Sequence, residues 1–370
     1  MFMLRRLLFA AVLALFCRNL VAEVNSPAWK RAEHLRHGIN ASEWLAQAHD
    51  YSPQRLRAVT TLDDIARMHS MGFDHVRLSI DPAIFQCDGP WNQCEKVQVL
   101  DEVIAKALSV DLAVIIDLHP SSEYKHQLST GDAAVQKFSQ LWEQVAGYYA
   151  KQNPEMVFFE VLNEPEVGTY RWAGMQQSVV QVIRRAAPQH TIIVTCGEYS
   201  NPDDLVRMPS VADDNYIVNF HFYTPHIFTH QGASWGDAYW ITLRQVPFPG
   251  APDAVAAAVS KQTSDWAKWK LTQYGLERWD AEHVAGEIGF MAGWAKARHV
   301  PLTCNEFGVY RNYSNPDDRM RWLTAVRTAL EQNGIGWTMW DYQGGFGVVY
   351  KKNGAVTEDD AVLRALGLRQ

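Results

Sequence analysis

The amino-acid sequence predicts an α/β protein, a (β/α)8 TIM barrel. Eight short apolar runs recur along the chain. Helical patterns fill most of the intervals between them, and polar residues gather where the runs end. Near-continuous hydrophobicity is what strands buried on both faces require, as in a parallel sheet. The runs lie at 37–41, 75–80, 112–119, 156–163, 191–197, 216–223, 301–308 and 336–342.

Helical spacing is clearest where Val135, Phe138, Leu141, Trp142, Val145 and Tyr149 recur. It returns at Val284, Ile288, Met291 and Ala295, and at Trp322, Val326 and Leu330. Helices are also expected at 61–71, 95–108 and 172–186, a short crossover at 202–208, and a last helix at 358–366. Strand followed by helix, eight times over, closes into a barrel. A doubly wound open sheet would want a glycine-rich phosphate turn after an early strand, and none is present. The aromatic-rich stretch around 224–300 exceeds one crossover. It reads as an insertion with an extra helix at 253–273, so residues 23–370 are expected to form a single domain.

The chain has 370 residues, 47% of them hydrophobic, enough for a large core. Its formal charge of -7 and the lack of a basic stripe argue against nucleic acid as a partner. Arg5 and Arg6 precede an apolar run at 7–16 that is too short to span a bilayer. Residues 1–22 are therefore expected to be a signal peptide, although Leu20 fits the small-residue cleavage rule poorly. The mature chain is expected to be a secreted or periplasmic monomer without a membrane span. In an oxidising compartment Cys87 and Cys94 read as a local disulfide, while Cys196 and Cys304 read as buried thiols. Asn40 and Asn312 stand in glycosylation triplets, which carry little weight here. No ligand spacing points to a metal or a cofactor.

Carboxyl strand ends of a barrel face one mouth, where active sites sit. Arg77, His119, Asn163-Glu164, His221-Tyr223, Asn305-Glu306 and Trp340 all fall at or near such ends. Glu164 and Glu306 are the natural pair. Two carboxyls flanking one bond can cleave a glycoside, one giving a proton to the leaving oxygen and the other attacking or activating water. Arg77 is the candidate to hold one of them charged. Glu160 shares strand parity with Glu164 and is expected deeper in the barrel, paired with a buried base. Asp117 is expected to play a similar supporting part.

These motifs carry a resemblance. GINASEW, VFFEVLNEP, FHFY and CNEFG resemble the first, fourth, sixth and seventh strands of glycoside hydrolase family 5, the cellulase family of retaining (β/α)8 glycosidases. The likeness runs over roughly residues 37–342. It implies Glu164 as acid/base and Glu306 as nucleophile. It implies Asn163 on the sugar 2-hydroxyl, Tyr223 as a donor to Glu306, His221 behind Glu164, His119 on the bound sugar, and Trp340 as a sugar platform. The stretch HFYTPHIFTHQGASW resembles bacterial endo-β-1,4-glucanases and makes Trp235 a further cleft residue. Two departures stand out. Pro120 replaces a histidine that some members carry, and Glu166 adds an acid near the mouth, expected to be solvated. The implied partner is a β-linked polysaccharide. A β-mannanase uses the same set, and a non-catalytic polysaccharide-binding barrel would lack one of the two glutamates.

Overall fold

The computed structural model describes residues 26–370. The expected signal peptide and Cys17 lie outside the described residues. Eight strands form a closed parallel barrel in sequence order: β1 (His37–Ala41), β2 (His75–Ile80), β3 (Ala113–Leu118), β4 (Val157–Glu160), β5 (Ile192–Thr195), β6 (Tyr216–Phe222), β7 (Leu302–Phe307) and β8 (Gly336–Met339). Pairing of β1 with β8 closes the ring. Nearly every strand residue is buried, as the apolar runs require.

The period of two along a strand sorts the barrel interior into layers. Ile115, Phe158, Ile193 and Ile217 make an apolar floor, which Ala28 and Leu35 close from the amino-terminal side. Two residues further along the same strands stand Asp117, Glu160 and Asn219, all buried and polar. Two further again come His119 and His221. The interior thus changes from hydrocarbon to charge within one step of the pleat. Gly38 is required at the first strand. A Cβ there would lie 2.0 Å from the ring of His75, which fills that space and bonds Thr338 at 2.7 Å.

Helices wrap this barrel and share one large apolar core with its outer faces. Their tryptophans also serve the ends of the ladder. Trp142 Nε1 donates to the Val161 carbonyl at 2.8 Å, and Trp172 Nε1 to that of Thr195 at 2.9 Å. Those are strand-end carbonyls that a shortened ladder would leave wanting.

The predicted helix at 253–273 is two helices, Pro252–Ser260 and Asp265–Glu277. Ser264 caps the second by accepting from the Ala267 amide, so the chain restarts there. The last helix is Asp360–Ala365, shorter than expected, because a hairpin of β9 (Val349–Lys352) and β10 (Ala355–Glu358) precedes it. No helix among the described residues is long and apolar enough to cross a membrane.

Cys87 and Cys94 are joined in a disulfide seven residues apart, and Cys196 and Cys304 are buried thiols. Trp91 within that loop packs on Phe85 and Tyr148, so it is a packing residue of the loop. Closing so short a loop restricts the unfolded chain modestly, by about 2 kcal/mol. A Cys94→Ser variant should lose about that much in urea unfolding while keeping its circular dichroism; an unchanged midpoint would show that the bridge does not stabilise the fold.

Candidate active site

The mouth is organised around one buried cation. Arg77, on β2, is fully buried. Its Nε and Nη2 grip both oxygens of Glu160 at 2.9 Å. Nη1 donates to Glu306 at 2.7 Å and to Asn40 Oδ1 at 2.9 Å. Nη2 also reaches Asn163 Oδ1 at 3.0 Å and pairs with Asp117 at 3.0 Å. Burial alone would favour neutral arginine, but Asp117, Glu160 and Glu306 hold its pKa well above the ordinary value. Glu160 is the deep structural acid that parity foretold, and its base is Arg77 itself. Asn305 and Asn219 complete it, donating at 2.6 and 3.2 Å.

Asn305 and Glu306 are adjacent, yet both reach into the barrel. A regular strand would send one of them outward. The register explains the exception: Phe220 pairs with Cys304, but His221 pairs with Glu306, so β7 carries an extra residue. Such a bulge re-aims side chains at the rim of a sheet. Here it lets Asn305 brace Glu160 while Glu306 meets Arg77. Tyr223 then donates to the second Glu306 oxygen at 3.0 Å. With a donor on each oxygen, Glu306 is satisfied as a carboxylate.

Glu164 reaches the same place by a different device. β4 ends at Glu160, earlier than predicted, although Asn163 still donates to the Leu118 carbonyl at 2.8 Å. Glu164 has φ +43°, in the left-handed region, and Pro165 after it has no amide hydrogen. A side chain held there costs about 1–3 kcal/mol, which the surroundings must outweigh. The ties are visible. Lys125 donates to the Glu164 carbonyl at 3.2 Å, and Tyr199 N to that of Pro165 at 3.0 Å. Glu166, expected to be solvated, is instead half-buried and paired with Lys125 at 2.9 Å and Ser122 at 2.9 Å.

His221 Nδ1 stands between the two acids, 2.9 Å from Glu164 and 3.5 Å from Glu306. Burial pushes its pKa down to about 4. One ligating atom from each of Glu164, His221 and Glu306 lies within 4.8 Å of the other two. Glu306 is almost wholly enclosed, whereas 27% of the Glu164 side chain is exposed.

His119 bonds Asp117 at 3.0 Å and Asn163 at 3.1 Å. Its ring stacks against Trp340, with centroids 5.7 Å apart. Trp340 packs with Tyr223 and Phe346. Trp235 lies beyond them, 47% exposed, edge-on to Tyr310 at 5.0 Å and near Phe346 at 6.4 Å. Arg77, His119, Asn163, Glu164, His221, Tyr223, Glu306, Trp340 and Trp235 thus belong to one connected cluster.

Several residues at this mouth escape sequence reasoning. Asn40 is fully buried against Arg77, which removes it as a glycosylation site. Tyr199 is 53% exposed in a run of three left-handed residues, Glu198, Tyr199 and Ser200, and the charges of Glu166 and Glu164 reach its hydroxyl. A strained, exposed aromatic beside the mouth is a candidate contact for ligand. Its only sequence signal is a position just past the fifth run.

This arrangement fits one known family. The cellulase family, glycosyl hydrolase family 5, matches residues 37–345. The chain belongs to glycosyl hydrolase family 5. It is a glycoside hydrolase. Among its relatives, Endoglucanase 3 of Fibrobacter succinogenes is 28% identical over 93% of this chain; the chain spans about half, 54%, of that relative. Cellodextrinase A of Ruminococcus flavefaciens is 32% identical over 80% of this chain and 82% of its own. Endoglucanase Cel5A of Thermotoga maritima superposes with a TM-score of 0.73 at 26% identity, covering 92% of this chain and 99% of that one. It has also been solved with cellobiose and with mannotriose.

The depressed pKa of His221 has a consequence for stability. The unfolded chain takes up this proton below about 6.5, but the folded chain does so only near 4. His221 therefore contributes fully above about pH 6.5, and that contribution is lost progressively as pH falls toward 4. The stability advantage of the wild type over His221→Gln should shrink by about 3 kcal/mol across that window, at ~1.4 kcal/mol per pH unit. Urea midpoints at a series of pH values check this; a constant difference would contradict it.

Proposed function

We propose that this family 5 hydrolase is an exported, monomeric endo-β-1,4-glucanase that acts on cellulose or a related β-glucan with retention of configuration. The observation that carries this reading is the spacing of its two acids. Carboxyl oxygens of Glu164 and Glu306 lie within 4.8 Å. Retaining glycosidases hold their carboxyls about 5–5.5 Å apart; inverting enzymes need about 6.5–9.5 Å to admit a water.

The asymmetry of the pair supports the division of labour. Glu306 accepts from both Arg77 and Tyr223, so both its oxygens are fixed and aimed: this is the nucleophile. Glu164, partly exposed and touched by His221, is the group free to exchange protons with a leaving oxygen and then with water. In the first step Glu306 bonds to the anomeric carbon, the glycosidic bond breaks, and the leaving oxygen takes the proton of Glu164. In the second, Glu164 takes a proton from water, whose oxygen displaces Glu306. Asn163 offers an N–H to the 2-hydroxyl, where contacts strengthen in the transition state. His119, Trp340 and Trp235 supply the sugar-facing surface, since indole and imidazole faces pack on the apolar faces of pyranose rings.

Endoglucanase relatives favour glucan as the substrate, and export rests on the sequence around Arg5 and Arg6. A second reading, β-mannanase, is kept by the mannotriose complex of the Thermotoga relative. A purely polysaccharide-binding barrel is disfavoured because both acids are present and supported. Reducing-end release on carboxymethylcellulose and on mannan separates the first two, and a faster rate on mannan would replace glucan as the substrate.

Glu164→Gln and Glu306→Gln should each lower kcat by about a thousandfold or more while binding of cello-oligosaccharide is largely kept. Proton NMR of the first product should show the β-anomer. Unchanged turnover in either variant would remove that residue from the mechanism, and a first-formed α-anomer would exclude retention.

A further inference from the structure

Asp117 lies out of reach of the mouth. It is fully buried on β3, two residues below His119. Its Oδ2 receives the His119 Nδ1 bond and pairs with Arg77 Nη2, while Oδ1 has no protein partner. With its neighbours it closes a ring. Arg77 Nη2 donates to Asn163 Oδ1, Asn163 Nδ2 meets His119 Nε2, His119 Nδ1 meets Asp117, and Asp117 returns to Arg77.

Donor and acceptor rules fix the direction of this ring. Arginine only donates, so the Asn163 oxygen must face it and the Asn163 amide nitrogen must face His119. Nε2 of His119 must then accept, and its single proton must sit on Nδ1. That holds only for a neutral ring, and burial lowers the His119 pKa to about 3. The proton on Nδ1 in turn needs a permanent acceptor, and Asp117 Oδ2 is that acceptor. Burial raises the Asp117 pKa to about 7 against the pull of Arg77 and Lys125. A proton taken up there falls on the unpartnered Oδ1, so Oδ2 accepts in either state.

We propose that Asp117 is a positioning residue for recognition of the 2-hydroxyl: it fixes the His119 tautomer, which holds the Asn163 amide with its second N–H free for the sugar. This rests on the glycosidase reading above and deepens it. The order of effects is specific. In Asp117→Asn the amide oxygen keeps the Oδ2 place, since an amide nitrogen there would face the Arg77 donor, and the tautomer is kept. In Asp117→Leu, of similar size, His119 Nδ1 loses its acceptor and the proton moves to Nε2. Two donors then face each other at Asn163, and the amide leaves its place. The two glutamates keep their partners, so general acid and nucleophile survive while the contact at C2 is lost.

The test compares dinitrophenyl β-cellobioside with its analogue lacking the 2-hydroxyl on the ring that is cleaved. For the wild type, kcat/KM should favour the parent strongly. In Asp117→Leu that preference should contract by about tenfold or more, with the parent losing rate mainly in kcat and the deoxy substrate nearly unaffected, while Asp117→Asn keeps the preference. In Asp117→Leu, equal losses on both substrates, or no loss on either, would overturn the proposal by reducing Asp117 to a structural role. A second measurement needs no variant. Nitrogen-15 NMR of the wild-type histidines should show His119 protonated on Nδ1 alone between about pH 5 and 8, above its folded pKa; a proton on Nε2 would overturn the proposal equally. If the wild type cleaves neither glycoside, the glycosidase reading itself fails, and the NMR arm still decides the tautomer.

Discussion

A single guanidinium, shut away from water, sets the geometry of this barrel. Arg77 meets side chains from β1, β3, β7 and the β4 segment, and carries both structural and candidate chemical partners. Such an ion is expensive to bury unless every donor finds an acceptor. Glu160 and Asn163 share Nη2, Asn40 and Glu306 share Nη1, and Glu160 also takes Nε. Loss of Glu160 would strip Nε of its acceptor and remove one of the three carboxylates around this charge, and breaking a buried pair from one side is strongly destabilising. The deep polar layer therefore serves the mouth: it holds the arginine that holds Glu306.

Two further devices place the acids. The β7 bulge rotates Glu306 inward beside Asn305, and the left-handed turn at Glu164 swings the other acid off the end of β4. Neither arrangement is the relaxed one for its backbone. Both are tied down by neighbours, through Tyr223 and Arg77 at one site and Lys125 and Tyr199 at the other. The result is a pair with unequal surroundings, one enclosed and doubly donated to, the other partly open. That inequality is what a division between nucleophile and proton carrier demands.

Much of this was legible in the sequence because period and position carry it. Apolar runs marked the strands, and polar residues at their ends marked the mouth, since every strand of a parallel barrel points the same way. Glu160 could be assigned to the interior from parity with Glu164. Parity failed where the backbone departs from regularity. By alternation Asn305 and Glu306 cannot both face inward, and only the register shift reveals why they do. The insertion was misread at 261–264 because apolar spacing continues across the break that Ser264 caps. The β9–β10 hairpin was missed because its burial pattern is mostly exposed and gives no strong alternation. Tyr199 and Lys125 act through backbone contacts that no side-chain pattern encodes.

The role proposed for Glu306, anchored by Arg77, is to supply the oxygen that bonds to the sugar in a covalent intermediate. Mass spectrometry after reaction with a 2-deoxy-2-fluoro cellobiosyl fluoride tests it most directly, because the fluorine slows release of such an intermediate. One added disaccharide is expected, on the peptide that contains Glu306 and absent from Glu306→Gln. Label on the Glu164 peptide, or steady turnover of the fluoride with no label on any carboxylate, would contradict it.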